Sequence, residues 1–266
     1  MKKLLLLSIF MLFHGLLMAG KEDPTDSREK FQVNIYKTSL PINIDGKIDE
    51  EAWLHSELVK NFINKWPLDS GLAEAQTEVR LTYDDDFLYV SAICYGYGEE
   101  YIIQSLKRDN DDSHWQSDAF TLLLDPINER TNGFMFGVNA GGAQIEAQLT
   151  VPGNRTRYDE NWDNKWYSEV SIHEDFWVVE MAIPFKTLRF NSSDRSWGVN
   201  FLRNDMGKNV YSTWSRVPQG FPGIDLAYNG LLKWDQPPKQ TKGRVALIPY
   251  ASGGVSRNHE DGESTE

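Results

Sequence analysis

Two alternating segments joined by three aspartates set most of what this chain can become. Thr77–Tyr83 places Val79, Leu81 and Tyr83 on one face, Asp84-Asp85-Asp86 turns the chain, and Phe87–Tyr95 returns. Period-two alternation is the mark of a strand, and two such runs around a polar turn read as a hairpin. The return run is apolar on both faces, as in a strand central to a sheet stack. Similar signals recur at 31–36, 119–124, 133–139, 144–150, 166–172, 176–183, 197–203, 210–216 and 230–234. Short strands at this spacing, with almost no long helix and no fixed-period repeat, predict an all-β fold, an antiparallel β-sandwich. At 266 residues the chain is long for one domain, but sandwiches reach this size alone.

Charge and cysteine usage narrow the partners. Lys+Arg 27 against Asp+Glu 39 gives a net charge of −12, which repels a nucleic-acid backbone. The single cysteine, Cys94, allows neither an internal disulfide nor a thiolate metal cluster, and its place inside a strand reads as core packing. Lys2 and Lys3, an apolar run at 4–18 and small residues Ala19 and Gly20 form a secretory signal peptide. The run is short for a membrane span. The expected organisation is therefore a signal peptide at 1–20, a flexible leader at 21–30, a sandwich at 31–236 and a different segment at 237–266. That last segment holds a strand-like run at 243–250 followed by an acidic end. An exported protein of the periplasm or outer membrane is the expected setting.

Functional residues gather around the stretch 113–125. Trp115 and Asp118 stand where the chain enters a buried strand that ends at Asp125-Pro126. An apolar ring beside a carboxylate suits sugar recognition, the ring covering C–H groups and the acid accepting hydroxyl protons; the structural alternative is a ring that plugs the core and an acid that caps a turn. Arg108, Asn139, Arg203 and Trp214 are the further groups expected near Trp115. Arg108 with Asp109, and Arg203 with Asp118, also read as ion pairs, and Trp214 as core. Asp45, Asp49 and Glu50 offer the oxygen ligands that calcium takes. Turn chemistry at Asp45-Gly46 and an Asp49 cap on a short helix that buries Trp53 account for the same residues. A glycosidase would need a carboxylate pair from Asp118, Glu146 and Asp159. Haem would need axial ligands from Met135, Met181, Met206, His114 or His173. None of these residues sits in a recognisable motif, nor is there a zinc-protease, P-loop or nucleophile-elbow pattern.

Several of these segments together resemble carbohydrate-binding module family 9. They are 42–53, 82–90, 115–125, 177–185 and 197–203, and their order and spacing are similar to the family's over roughly 31–235. The closer likeness is to a branch of exported bacterial proteins that carry this module ahead of an outer-membrane β-barrel, whose first strand 243–250 resembles. The resemblance implies a β-sandwich that binds a glycan without catalysis, clamping a terminal sugar between two aromatic rings. It matches Trp115 to the first ring and the loop at Phe221 to the second. Where the family has an acidic partner and an arginine, this chain has Thr121 and a position near Gly137. The alternative is a periplasmic accessory domain of a barrel protein that has lost its sugar ligand.

Overall fold

The computed structural model describes residues 28–96, 100–153 and 155–240. The expected signal peptide, most of the leader and the run at 243–250 lie outside the described residues. In chain order the strands are β1 (Gln32–Ile35), β2 (Leu58–Val59), β3 (Ile63–Trp66), β4 (Thr77–Tyr83), β5 (Phe87–Tyr95), β6 (Ala119–Asp125) and β7 (Asn132–Asn139). They continue as β8 (Gln144–Thr150), β9 (Arg157–Asp159), β10 (Tyr167–Ile172), β11 (Phe176–Pro184), β12 (Ser196–Asp205), β13 (Val210–Thr213) and β14 (Gly230–Trp234). Two short helices, α1 (Glu51–Leu54) and α2 (Asp111–Trp115), interrupt them.

These strands form two sheets, as the alternation predicts. The larger runs β1-β14-β12-β6-β7-β8-β9, with β13 beside the second half of β12 and β3 beyond it. The smaller runs β10-β11-β5-β4-β2, so the doubly apolar β5 is indeed internal. All pairings between named strands are antiparallel except β1 with β14, which is parallel. The core lies between the sheets and follows from register. Leu122 of β6 faces Phe136 of β7 and Phe201 of β12, and Phe120, Leu124, Val138 and Trp197 share that face. Opposite them stand Leu81 of β4, Val90 and Cys94 of β5, and Trp177 and Met181 of β11. Each such side chain contributes about 1.5–3 kcal/mol on burial. Burial pushes the Cys94 thiol up to about 12, so it behaves as a small apolar side chain.

The large sheet also has a covered outer face. Leu123, Met135, Ile145, Ala147, Leu149, Leu202, Ile224 and Leu226 form a second apolar cluster there. That is why β6 and β7 are buried on both sides.

Local differences from the sequence reading have local causes. The 151–165 loop contains β9, which extends the edge of β8. Strands β2 and β3, two and four residues long, are too short to show periodicity. The cap of α1 is Glu50 rather than Asp49, and its side chain makes no capping bond. Instead Glu50 accepts from the Asn43 amide at 3.0 Å and the Trp53 indole at 3.0 Å. Trp53 is buried as expected. Asp45, one of the calcium candidates, is engaged by the Lys47 amide and ammonium. No cluster of three or more His, Cys, Asp or Glu side chains is placed to hold a metal ion among the described residues.

Candidate functional site

The approach to β6 is a helix where the sequence suggested only a charged loop. Asn110 caps α2 by accepting from the Ser113 amide at 3.2 Å, with Asp111 and Asp112 in the first turn, where a helix favours negative charge. One turn later come His114 and Trp115, and both face the outer cluster of the large sheet.

His114 is buried, and its Nε2 lies 2.9 Å from the Thr121 hydroxyl. The ring packs on Gly137, the cross-strand neighbour of Thr121; a Cβ at Gly137 would meet the imidazole at 2.5 Å. Burial pushes the imidazole down to about 3, so it is neutral at any ordinary pH.

Trp115 is half-buried against the outer cluster. Its indole N–H donates to Asp111 Oδ1, four residues back on the same helix face. The Tyr158 hydroxyl of β9 donates to Asp111 Oδ2, and the Tyr211 hydroxyl of β13 donates to the Trp115 carbonyl at 3.0 Å. One carboxylate thus fixes two rings, and the second tyrosine holds the end of the helix.

Beside Trp115 opens a cavity of about 360 Å³. Five aromatic residues line it: Trp66, Trp115, Tyr158, Tyr211 and Phe221. Leu202 and Ile224 of the outer cluster, Pro222, Gly223 and the buried Lys65 complete the wall. Trp66 is the register partner of Tyr211 across β3 and β13. Trp66 and Phe221 remain 45% and 42% exposed, so both present ring surface to solvent at the edge of the cavity. The loop that carries Phe221 is tied to the turn after β3: Gln219 donates to the Asp69 carboxylate at 2.9 Å and the Pro67 carbonyl at 2.8 Å, and Lys65 Nζ donates to the Gln219 carbonyl at 3.2 Å.

Trp115 and Phe221, the two rings singled out in sequence, therefore line one cavity although 106 positions separate them. The other five candidates are placed elsewhere by the fold. Asp118 is buried and pairs with Arg203 at 3.1 Å while accepting from the Ile102 amide at 2.8 Å. The Arg203 guanidinium also lies 5.2 Å from the Trp177 ring centre, inside the sandwich. The two border a cleft of about 10 Å³, room for about one water. Asn139 is consumed by the β7–β8 turn, accepting from Gly141 and Ala143 and donating to the Ser105 carbonyl. Trp214 is core, edge-on to Phe31 and beside Phe201. Arg108 binds Glu146, Gln144 and the Asn164 carbonyl instead of the cavity.

The carboxylates weighed for glycoside cleavage are similarly engaged. Glu146 is fully buried between Arg108, the Asn164 amide and the Trp166 indole, and Asp159 holds Asn161. Neither they nor Asp118 line the cavity. Of the haem-ligand candidates, His114 is held by Thr121, while Met135 and Met181 lie in the two different apolar clusters.

Sequence reasoning missed Trp66, Tyr158, Tyr211 and Asp111. Only Asp111 carried a readable signal, its spacing of four from Trp115. The tyrosines reach the cavity through strand pairings that no local pattern encodes.

The described residues thus form a two-sheet sandwich with a ring-lined cavity on the outer face of the larger sheet. Residues 44–217 match the family described as carbohydrate family 9 binding domain-like, and the chain belongs to that family. Phe221 lies just beyond the matched residues. Among solved structures, a family 9 carbohydrate-binding module from Caldicellulosiruptor kristjanssonii in complex with glucose is 20% identical, with a TM-score of 0.54 over 82% of this chain and 99% of that one. A module from the same organism in complex with cellotriose is 18% identical, with a TM-score of 0.53 over 82% of this chain and 100% of that one. A Bacteroides uniformis protein, described as a putative carbohydrate-binding protein, is 12% identical, with a TM-score of 0.61 over 77% of this chain and 99% of that one. At these identities the likeness is one of fold. No curated protein matches the chain.

Proposed function

We propose that this protein is an exported, non-catalytic carbohydrate-binding domain that holds its glycan by stacking on Trp115 and Phe221. The observation that carries the reading is the convergence of these two rings on one cavity within a family 9 sandwich. Sugar C–H faces pack on aromatic rings, and rigid rings lose little freedom on binding. Solved modules of the same fold hold glucose and cellotriose, which supports a glycan as the ligand class. The apolar run at 4–18 behind two lysines supports export. Calorimetric titration with mono- and oligosaccharides, alongside Trp115→Ala, tests it. Saturable binding lost in the variant is expected; no heat from a folded protein with any sugar would overturn it.

A second reading, an accessory domain of an outer-membrane barrel protein, is favoured by one observation. The polar side chains that would match sugar hydroxyls, Asp118, Asn139 and Arg203, are consumed by the fold. A folded, sugar-silent protein that co-purifies with outer membranes is the outcome this reading expects.

A further inference from the structure

The cavity is poor in groups that could replace water around a sugar hydroxyl. No carboxylate, amide or guanidinium side chain lines it. Its two tyrosine hydroxyls already donate to Asp111 and to the Trp115 carbonyl, the Trp115 indole donates to Asp111, and Lys65 Nζ donates to Gln219. On the adjoining sheet surface, where Thr121 and Gly137 face each other, His114 fills the space. A hydroxyl carried into such a wall meets few partners, the two tyrosine oxygens as acceptors and the remaining Lys65 N–H donors, against the full shell it has in water. An apolar group carried there loses nothing of that kind, and a planar one gains edge or face contacts with the rings. The mouth differs from the floor: Trp66 and Phe221 are exposed, whereas Leu202 and Ile224 belong to the buried outer cluster.

We infer that the cavity takes an aryl substituent carried by the glycan, with the sugar ring stacked on Trp115 and Phe221 at the mouth, where Trp66 flanks it, and its hydroxyls left in water. This deepens the carbohydrate-binding reading and rests on it. The ligand class is an aryl-substituted saccharide, in place of an unmodified chain end held by charged groups.

The test titrates the full chain with methyl and phenyl β-glycosides of glucose, xylose and mannose, and with phenol alone. For at least one sugar, the phenyl glycoside should bind about tenfold or more tightly than its methyl counterpart. Phe221→Ala should weaken both glycosides together, whereas the ratio should collapse towards one in Ile224→Ala and in Tyr158→Ala, which strip the surface that the aryl group packs on. It should persist in Tyr167→Ala, an exposed ring on the smaller sheet. Equal affinity for methyl and phenyl glycosides overturns this inference and leaves the carbohydrate reading standing, as does a ratio that survives both Ile224→Ala and Tyr158→Ala. Phenol as tight as the phenyl glycoside, or no binding by any glycoside, overturns the carbohydrate reading itself and this inference with it.

Discussion

His114 and Gly137 occupy one place in the large sheet: the imidazole of α2 lies where any side chain at Gly137 would have to stand. The neighbouring Thr121 hydroxyl meets the ring at 2.9 Å, so helix, strand and cross-strand partner interlock. This plug seals the sheet face beside the cavity and sets the height at which Trp115 leaves α2.

Gly137→Ala should therefore be costly despite adding one methyl group. The new Cβ would press on His114 and on Ile145, 2.8 Å away, in a packed cluster. Overpacking of this kind costs about 1–3 kcal/mol. Urea denaturation should show that loss. Ligand affinity should also fall, because displacing His114 moves its neighbour Trp115. Unchanged affinity would mean that the plug does not position the ring.

Glu180 gives the protein a definite pH response. Its carboxylate is buried beneath the 45–46 turn, accepting from Asp45 and Gly46 amides at 3.1 and 2.9 Å and from the Trp53 indole at 3.2 Å. Burial, with a smaller contribution from nearby Glu50, raises it from the ordinary glutamate value to about 7. The folded state therefore holds a proton that the unfolded state releases, and stability from this group falls as pH rises from about 4.5 to 7. His114 acts in the opposite sense, its stability being lost as pH falls below its unfolded value. Comparing denaturation of wild type and Glu180→Gln across that window isolates the glutamate. The difference between them should shift with pH between those limits and level off outside them.

Asp118 and Arg203 should prove to be supports of the fold rather than ligand contacts. Arg203→Met strands a buried carboxylate whose remaining partner is the Ile102 amide, a loss of about 3–5 kcal/mol. Adding Asp118→Asn removes the stranded charge and should restore most of that stability. The double variant, once folded, should bind ligand as the wild type does. A lost ligand response in a stable double variant would return both residues to the site.

The sequence reading succeeded where one local pattern decides structure. The Thr77–Tyr83 and Phe87–Tyr95 hairpin, the β6 strand ending at Asp125 and the β8 alternation all appear at the expected positions. It singled out Trp115 from its place at the entry to β6 and Phe221 by resemblance, and the cavity is lined by both. Where it left two readings open, the structure takes the structural one, with Asp118 paired to Arg203 and Trp214 in the core, because a polar or aromatic residue near a strand end looks the same whether it faces solvent or core; Asn139 is drawn into the β7–β8 turn. The choice depends on register: Arg203 shares the inward face with Phe201 and Trp197, two and six positions earlier on β12. Trp66 and Tyr211 meet only through the pairing of β3 with β13, strands 145 positions apart, and the irregularity next to Tyr211 hides even its local period.

Asp111 offers the sharpest test of how the cavity is held in shape. It touches the indole of Trp115 and the hydroxyl of Tyr158 with separate oxygens, so removing it frees two walls at once. Asp111→Ala should weaken ligand binding severalfold, since rings that must be ordered on binding cost conformational freedom. A loss of general stability could mimic that, but Tyr158 supplies a separate readout. Burial first, and the bond to Asp111 second, raise its hydroxyl to about 12. In the variant, spectrophotometric titration should find Tyr158 ionising closer to the ordinary tyrosine value of about 10 without reaching it, because burial remains. A Tyr158 that titrates as before, in a variant that binds as before, would show that the two rings hold their positions without the carboxylate.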